Sequence, residues 1–188
     1  LRAYARAHHI YIVKPQVEQF LKTFLCALRP KEILEVGTAI GYSALLFCSC
    51  LPHARVTTIE RDETVLAQAK ENIRAQGAQE RIRCIYGDAD EVLEDIKGPY
   101  DFVFLDAAKG QYRAHFDLCV SKMNPGGVIV TDDVLYMGMT ASDALATKKH
   151  STITRRLREF LTYLCTDTRF ETSILPIGDG VAVTYIKE

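Results

Sequence analysis

Acidic residues recur in this chain directly after apolar runs. In FVFLDAAKGQY, residues 102–112, four apolar residues run into Asp106, and Lys109 follows three positions later. Glu60 follows Arg55–Ile59 in TTIERDE, Asp88 stands in YGDA after Ile82–Tyr86, and Asp132-Asp133 follow Gly127–Thr131 in VIVTDDV. A run such as Phe102–Leu105 has no polar face and reads as a strand buried on both sides. In an open α/β sheet, ligands sit in the crevice beyond the carboxyl ends of the strands. Acids on that rim can therefore contact a ligand. Glu60 can accept hydrogen bonds from both hydroxyls of a ribose, and Asp88 stands where an adenine amino group could be read.

The stretch ILEVGTAIGYSALL, residues 33–46, supplies the turn such a crevice needs. A strand ends in Glu35-Val36-Gly37, and Gly41 opens the next helix, so the backbone there can approach a ligand closely. The spacing is G-x-x-x-G, without the dinucleotide fingerprint or the Gly-Lys-Ser/Thr of a phosphate loop.

Alternating elements must position these residues. Helical spacing predicts Gln16–Leu28, stopped before Pro30. Strand Glu32–Val36, helix Tyr42–Cys50, strand Arg55–Ile59, helix Glu63–Gln76, strand Ile82–Tyr86 and a short helix at Glu91–Ile96 follow. Strand Phe102–Leu105 precedes a helix at Gln111–Met123, and Pro125-Gly126-Gly127 reads as the turn leading into strand Gly127–Thr131. Such alternation predicts an α/β fold with a parallel sheet and helices on both faces. A helix at Thr152–Cys165 then precedes strands Phe170–Pro176 and Val181–Ile186, an antiparallel hairpin turned at Asp179-Gly180. The expectation is one domain over residues 1–188: five parallel strands plus the hairpin. Residues 132–151 are the one long stretch without periodicity, and stretches of that length are usually functional or mobile. LRAYARAHH at the start has the look of a helix interior, as if a segment preceded it.

Composition narrows the classes. The net charge of −1 gives no whole-protein field to attract nucleic acid or an anionic membrane, so any such binding needs a local patch. No apolar run reaches membrane-spanning length. The six cysteines include no C-x-x-C pair or zinc spacing and read as core thiols of a cytoplasmic protein.

Glu35-x-Gly37 through Tyr42-Ser43, Glu60, Gly87-Asp88-Ala89, Asp106-Ala107-Ala108-Lys109 and Asp132-Asp133 together resemble the cation-dependent O-methyltransferases. These S-adenosylmethionine (SAM)-dependent enzymes include catechol and caffeoyl-CoA methyltransferases. The resemblance covers nearly the whole chain. FLDAAKGQY and ILPIGDG look most like the bacterial tRNA 5-hydroxyuridine methyltransferase branch. It implies a Rossmann-like, seven-stranded SAM-methyltransferase fold.

 The fold implied is thus α/β and Rossmann-like, with seven strands, and the assembly implied is a homodimer.

Residue by residue, the resemblance implies that Glu35, Gly37 and Ser43 lie at the methionine end of the cofactor, with Val13 closing over it. Glu60 would hold the ribose, and Asp88 with Ala89 would flank the adenine. Asp106, Asp132 and Asp133 would bind Mg²⁺ or Mn²⁺, and Asp106 would also border the cofactor. Lys109 would act as base or stabilise the substrate oxyanion. The family usually carries Asp-Asn where this chain has Asp132-Asp133. The acceptor implied first is 5-hydroxyuridine in the tRNA anticodon region, with a small-molecule catechol as the alternative and a non-catalytic SAM-binding protein as a third reading.

Two weaker signals complete the reading. Lys148, Lys149, Arg155, Arg156 and Arg158 crowd into eleven residues without an acid and read either as a solvated helix start or as a phosphate-contacting patch. The five histidines show no metal or triad spacing and read as structural or surface groups. Tyr112, Tyr136 and Met137 read as either pocket or core.

Overall fold

The computed structural model describes residues 1–187. Two helices, α1 (Arg2–Ala7) and α2 (Pro15–Leu28), precede an alternation of strands and helices. These are β1 (Glu32–Val36), α3 (Tyr42–Cys50), β2 (Arg55–Glu60), α4 (Glu63–Ala75), β3 (Ile82–Tyr86), α5 (Ala89–Asp95), β4 (Tyr100–Leu105), α6 (Tyr112–Val120) and β5 (Met123–Thr131). The chain closes with α7 (Ser151–Thr166), β6 (Phe170–Leu175) and β7 (Val181–Ile186).

The strands form one sheet in the order β3-β2-β1-β4-β5-β7-β6. The first five pair in parallel, and β7 runs antiparallel to both β5 and β6. The central strands carry apolar side chains on both faces, which is why their sequences show no alternation. On one face Phe102 and Phe104 meet Phe47 of α3 edge to face, with centroids 6.0 and 5.7 Å apart, and Val17, Leu21 and Leu25 of α2 join that layer. On the other, Val103 and Leu105 share a layer with Phe116 of α6 and Phe160 of α7.

Several elements differ in their bounds from the sequence reading: α5 spans Ala89–Asp95 instead of Glu91–Ile96, and β4 begins at Tyr100 instead of Phe102. The helix expected to reach Met123 ends at Val120, and β5 begins at Met123 instead of Gly127. Asn124–Gly126 is a shift of register inside the strand, between the pairs Tyr100↔Met123 and Phe102↔Val128. The Asn124 amide donates to Asp101 Oδ1 at 2.7 Å, which fixes the irregular stretch against β4. The reading of all six cysteines as core thiols also fails. Cys48 and Cys119 are buried, Cys50 and Cys84 partly so, and Cys26 and Cys165 are exposed. Cys26 and Cys165 fall on the outer faces of amphipathic helices, a placement that local apolar content does not reveal.

The strand order reverses between β1 and β4, and the crevice at such a switch point is where ligands of open α/β sheets bind. There the Asp106 N–H donates to Val36 O at 3.0 Å. Gly37 has φ +104°, and a Cβ on it would stand 2.1 Å from Asp106 O. Both the conformation and the space require glycine. Gly37→Ala is expected to lower stability by about 2–4 kcal/mol. Urea denaturation of the two proteins measures this, and an unchanged midpoint would refute the close approach.

Candidate active site

Two adjoining cavities open along the carboxyl rim of the sheet. One, of 310 Å³, is lined by Gly37, Glu60, Asp88, Ala89, Asp106, Gln111 and His115 among others. The second, of 790 Å³, takes in Val13, Lys109, Asp132, Asp133, Tyr136 and Met137. Gly37, Glu60, Asp106 and Ala107 line both, so the two form one cleft across the switch point.

The fold brings together most of the residues singled out from sequence. Glu60 ends β2, and its carboxylate accepts from the backbone N–H of Ala39 at 3.0 Å, of Arg61 at 3.0 Å and of Asp62 at 3.1 Å. It is thereby fixed with its edge on the cleft. Asp88 caps α5 by accepting from the Asp90 N–H. Lys109 sits on a 3₁₀ turn (Lys109–Gln111) after β4, and its Nζ meets Asp133 Oδ2 at 2.8 Å.

Glu35 and Ser43 are placed differently. Neither lines the cleft, and Glu35 is fully buried in the sheet. One residue before the strand end, it shares a face with Ile33 and lies opposite Thr58 in the register. The Thr58 hydroxyl donates to Glu35 Oε2 at 2.5 Å, and Oε1 has no hydrogen-bond partner among the described residues. Burial pushes the Glu35 carboxyl up to about 8, against the Ser43 and Thr58 hydroxyls and with help from the charges of Asp106 and Glu60.

The three aspartates expected to hold a cation share the second cavity, but their oxygens do not converge. Asp132 Oδ1 takes the Asp133 N–H at 2.7 Å, while Asp133 Oδ2 is held by Lys109. Burial and neighbouring negative charge raise the carboxyls of both Asp106 and Asp132. Burial alone would lower the Lys109 amine, but its bond to Asp133 and the charges of Asp106 and Asp132 outweigh this and hold it as ammonium. Asp133, Tyr136 and Met137 have φ of 56°, 44° and 55°, so backbone strain is concentrated beside these acids. Among the described residues, the only trio whose ligand atoms come within 4.8 Å of one another is Asp88, Asp90 and His115.

Sequence spacing missed several groups of the cleft. His115 is 2% exposed, a buried group on the wall of the first cavity. Of the three residues read as either pocket or core, Tyr112 is core, its hydroxyl donating to Asp132 O at 3.0 Å, and Tyr136 and Met137 line the second cavity. Asp179 of the hairpin turn also reaches that cavity and pairs with Lys14 at 2.6 Å. The turn residues alone gave no hint of this.

The basic cluster is only partly free. Arg155 pairs with Glu159 at 2.7 Å, and Arg158 pairs with Asp143 at 2.6 Å while also donating to Met139 O and Thr140 O. Arg156 donates to Gly110 O next to Lys109, and Lys148 and Lys149 are exposed. Among the described residues, no helix is long and apolar enough to cross a membrane.

The family described as O-methyltransferase matches residues 2–187. The chain belongs to that family. A catechol O-methyltransferase of Niastella koreensis is 30% identical, over 93% of this chain and 82% of its own length. A caffeoyl-CoA O-methyltransferase of Populus kitakamiensis is 31% identical, over 88% and 74%. A solved structure from Staphylococcus aureus matches with a TM-score of 0.93 at 31% identity, covering 99% of this chain and 90% of that one. An O-methyltransferase from Bacillus cereus, solved in complex with SAH, matches with a TM-score of 0.86 at 25% identity, over 98% and 88%. The chain is therefore a SAM-dependent O-methyltransferase.

The buried Glu35 gives this methyltransferase a marked pH dependence of stability. Its folded carboxyl, at about 8, holds a proton more tightly than the unfolded one at 4.5. The folded state thus binds more protons between these values, and its contribution is full below 4.5 and lost as pH rises through 8. Glu35→Gln removes the titration, so its stability relative to the native chain should rise across that window. Urea midpoints of both proteins taken from acid to mildly alkaline pH test this; a constant difference would contradict it.

Proposed function

We propose that the chain methylates one of two vicinal oxygens on a planar acceptor of the catechol type, with a divalent cation held by Asp106, Asp132 and Asp133. The observation that carries this is the acid cluster beside Lys109, in a cavity continuous with the one containing Glu60 and Asp88. All donors of the cluster are hard oxygens, which suit Mg²⁺ or Mn²⁺. Carboxyls raised by burial and mutual repulsion are groups that a cation would relieve. Asp133 must turn away from Lys109 to join them.

When bound, the cation supplies Lewis acidity that lowers the acceptor hydroxyl's pKa. In this reading Glu60 accepts from the ribose hydroxyls of SAM, Asp88 and Ala89 border its adenine, and Gly37 lets the donor approach the backbone. Val13 and Met137 wall the acceptor side. Lys109, held as ammonium, offers positive charge to the acceptor oxygen, which favours oxyanion stabilisation over a role as base. Methyl transfer is then governed by positioning of the acceptor oxygen and the sulfonium methyl.

Activity on a catechol should vanish in EDTA and return with Mg²⁺ or Mn²⁺. Asp132→Asn should lose turnover, while Asp133→Asn should keep it to within about tenfold, since asparagine also tolerates the left-handed backbone and can still ligate. Full turnover in chelator, or an inactive Asp133→Asn, would overturn the metal assignment.

A second reading, 5-hydroxyuridine of tRNA, is supported by the exposed Lys148 and Lys149 before α7 and by Arg156 beside the Lys109 turn, and weakened by the pairing of Arg155 and Arg158 with acids. If Lys148 and Lys149 contact phosphates, replacing both with Ala should flatten the salt dependence of tRNA affinity by about 0.7–0.9 per contact. Catechol turnover should be unaffected. Mass spectrometry of wobble nucleosides after incubation with SAM and Mg²⁺ decides between the acceptors: an unmodified tRNA would remove this reading.

A further inference from the structure

We propose that Asp88, Asp90 and His115 bind a borderline transition cation such as Zn²⁺ or Co²⁺, and that this ion and the cofactor's adenine exclude each other. The exclusion rests on the reading above, in which the smaller cavity receives the adenine.

Asp88 and Asp90 alone would be two half-buried acids at the head of α5. His115 distinguishes them. Its ring is 2% exposed and lines the cavity, yet neither ring nitrogen has a hydrogen-bond partner among the described residues. Buried polar groups are nearly always partnered. Nε2 lies 2.9 Å from Asp90 Oδ1 but is not aligned for a hydrogen bond. Two ligands about 2.1 Å from one ion stand about 3 Å apart at the right angles of an octahedral site and about 3.4 Å apart at the tetrahedral angle of zinc. The contact therefore has the spacing of neighbouring ligands on one ion.

Surrounding bonds hold the carboxylates. Asp90 Oδ2 accepts from Gln111 Nε2 at 2.7 Å, and Asp88 Oδ1 accepts from the Asp90 N–H at 3.0 Å. Such outer bonds orient metal ligands. One imidazole with two carboxylates suits Zn²⁺ or Co²⁺, whereas Mg²⁺ prefers oxygen alone. The set is thus chemically distinct from the oxygen cluster at Asp106, Asp132 and Asp133.

The test is calorimetric titration of Zn²⁺ into the full, cofactor-free chain in excess Mg²⁺, added to compete at the oxygen cluster. One equivalent should bind, weakened about tenfold or more by His115→Phe and by Asp90→Asn. Saturating S-adenosylhomocysteine should weaken it as well. Asp90 is 48% exposed, so Asp90→Asn keeps the test decisive if His115→Phe does not fold. Absence of Zn²⁺ binding, or equal binding by native chain and variants, overturns the site. Binding indifferent to S-adenosylhomocysteine overturns the exclusion. If the native chain binds no Zn²⁺ but His115→Phe loses S-adenosylhomocysteine affinity, His115 is a cofactor contact and the metal site falls. No methyl acceptor is present, so failure of the catechol reading would leave the titration unchanged.

Discussion

The close approach of β1 and β4 at the point where strand order reverses is the constraint on which the site depends. Gly37 allows the two strand ends to meet, because any side chain there would strike the carbonyl of Asp106. The contact places Asp106 between the two cavities and sends the Lys109 turn across the rim. Phe102 and Phe104 beneath, packed on Phe47, keep that end of the sheet from yielding.

Negative charge is the second organising feature. Glu35, Asp106 and Asp132 all carry carboxyls raised first by burial, and each adds to the cost of ionising a neighbour. Lys109 is the cation set among them, and its bond to Asp133 leaves Asp133 turned from the other two. The same electrostatics favours a positive charge among the three carboxylates, and the Lys109 ammonium supplies one.

The segment after β5 is tied down by the terminal hairpin. Val134 and Leu135 donate to Gly180 O and Asp179 O, at 3.0 and 2.8 Å, so the hairpin holds the loop carrying Asp133, Tyr136 and Met137. Asp179 pairs with Lys14, which lines the same cavity. Two ends of the chain thereby frame one cavity, a linkage with no local sequence signature.

The sequence by itself determined the alternation of elements, the parallel sheet and the row of acids at strand ends. Apolar runs, glycine turns and helical periodicity are local, and acids after buried strands have few places to go but the rim. Glu60, Asp88, Asp106 and Asp132 were legible for that reason. Only the tertiary structure decided orientation and pairing. Glu35 faces into the sheet because it lies one residue before the strand end, where the period of two turns its side chain under α3. Arg158 is neutralised by Asp143, fifteen positions back, and His115 meets Asp90 from a different helix. Such pairings depend on distances between elements, which residue spacing along a chain does not encode.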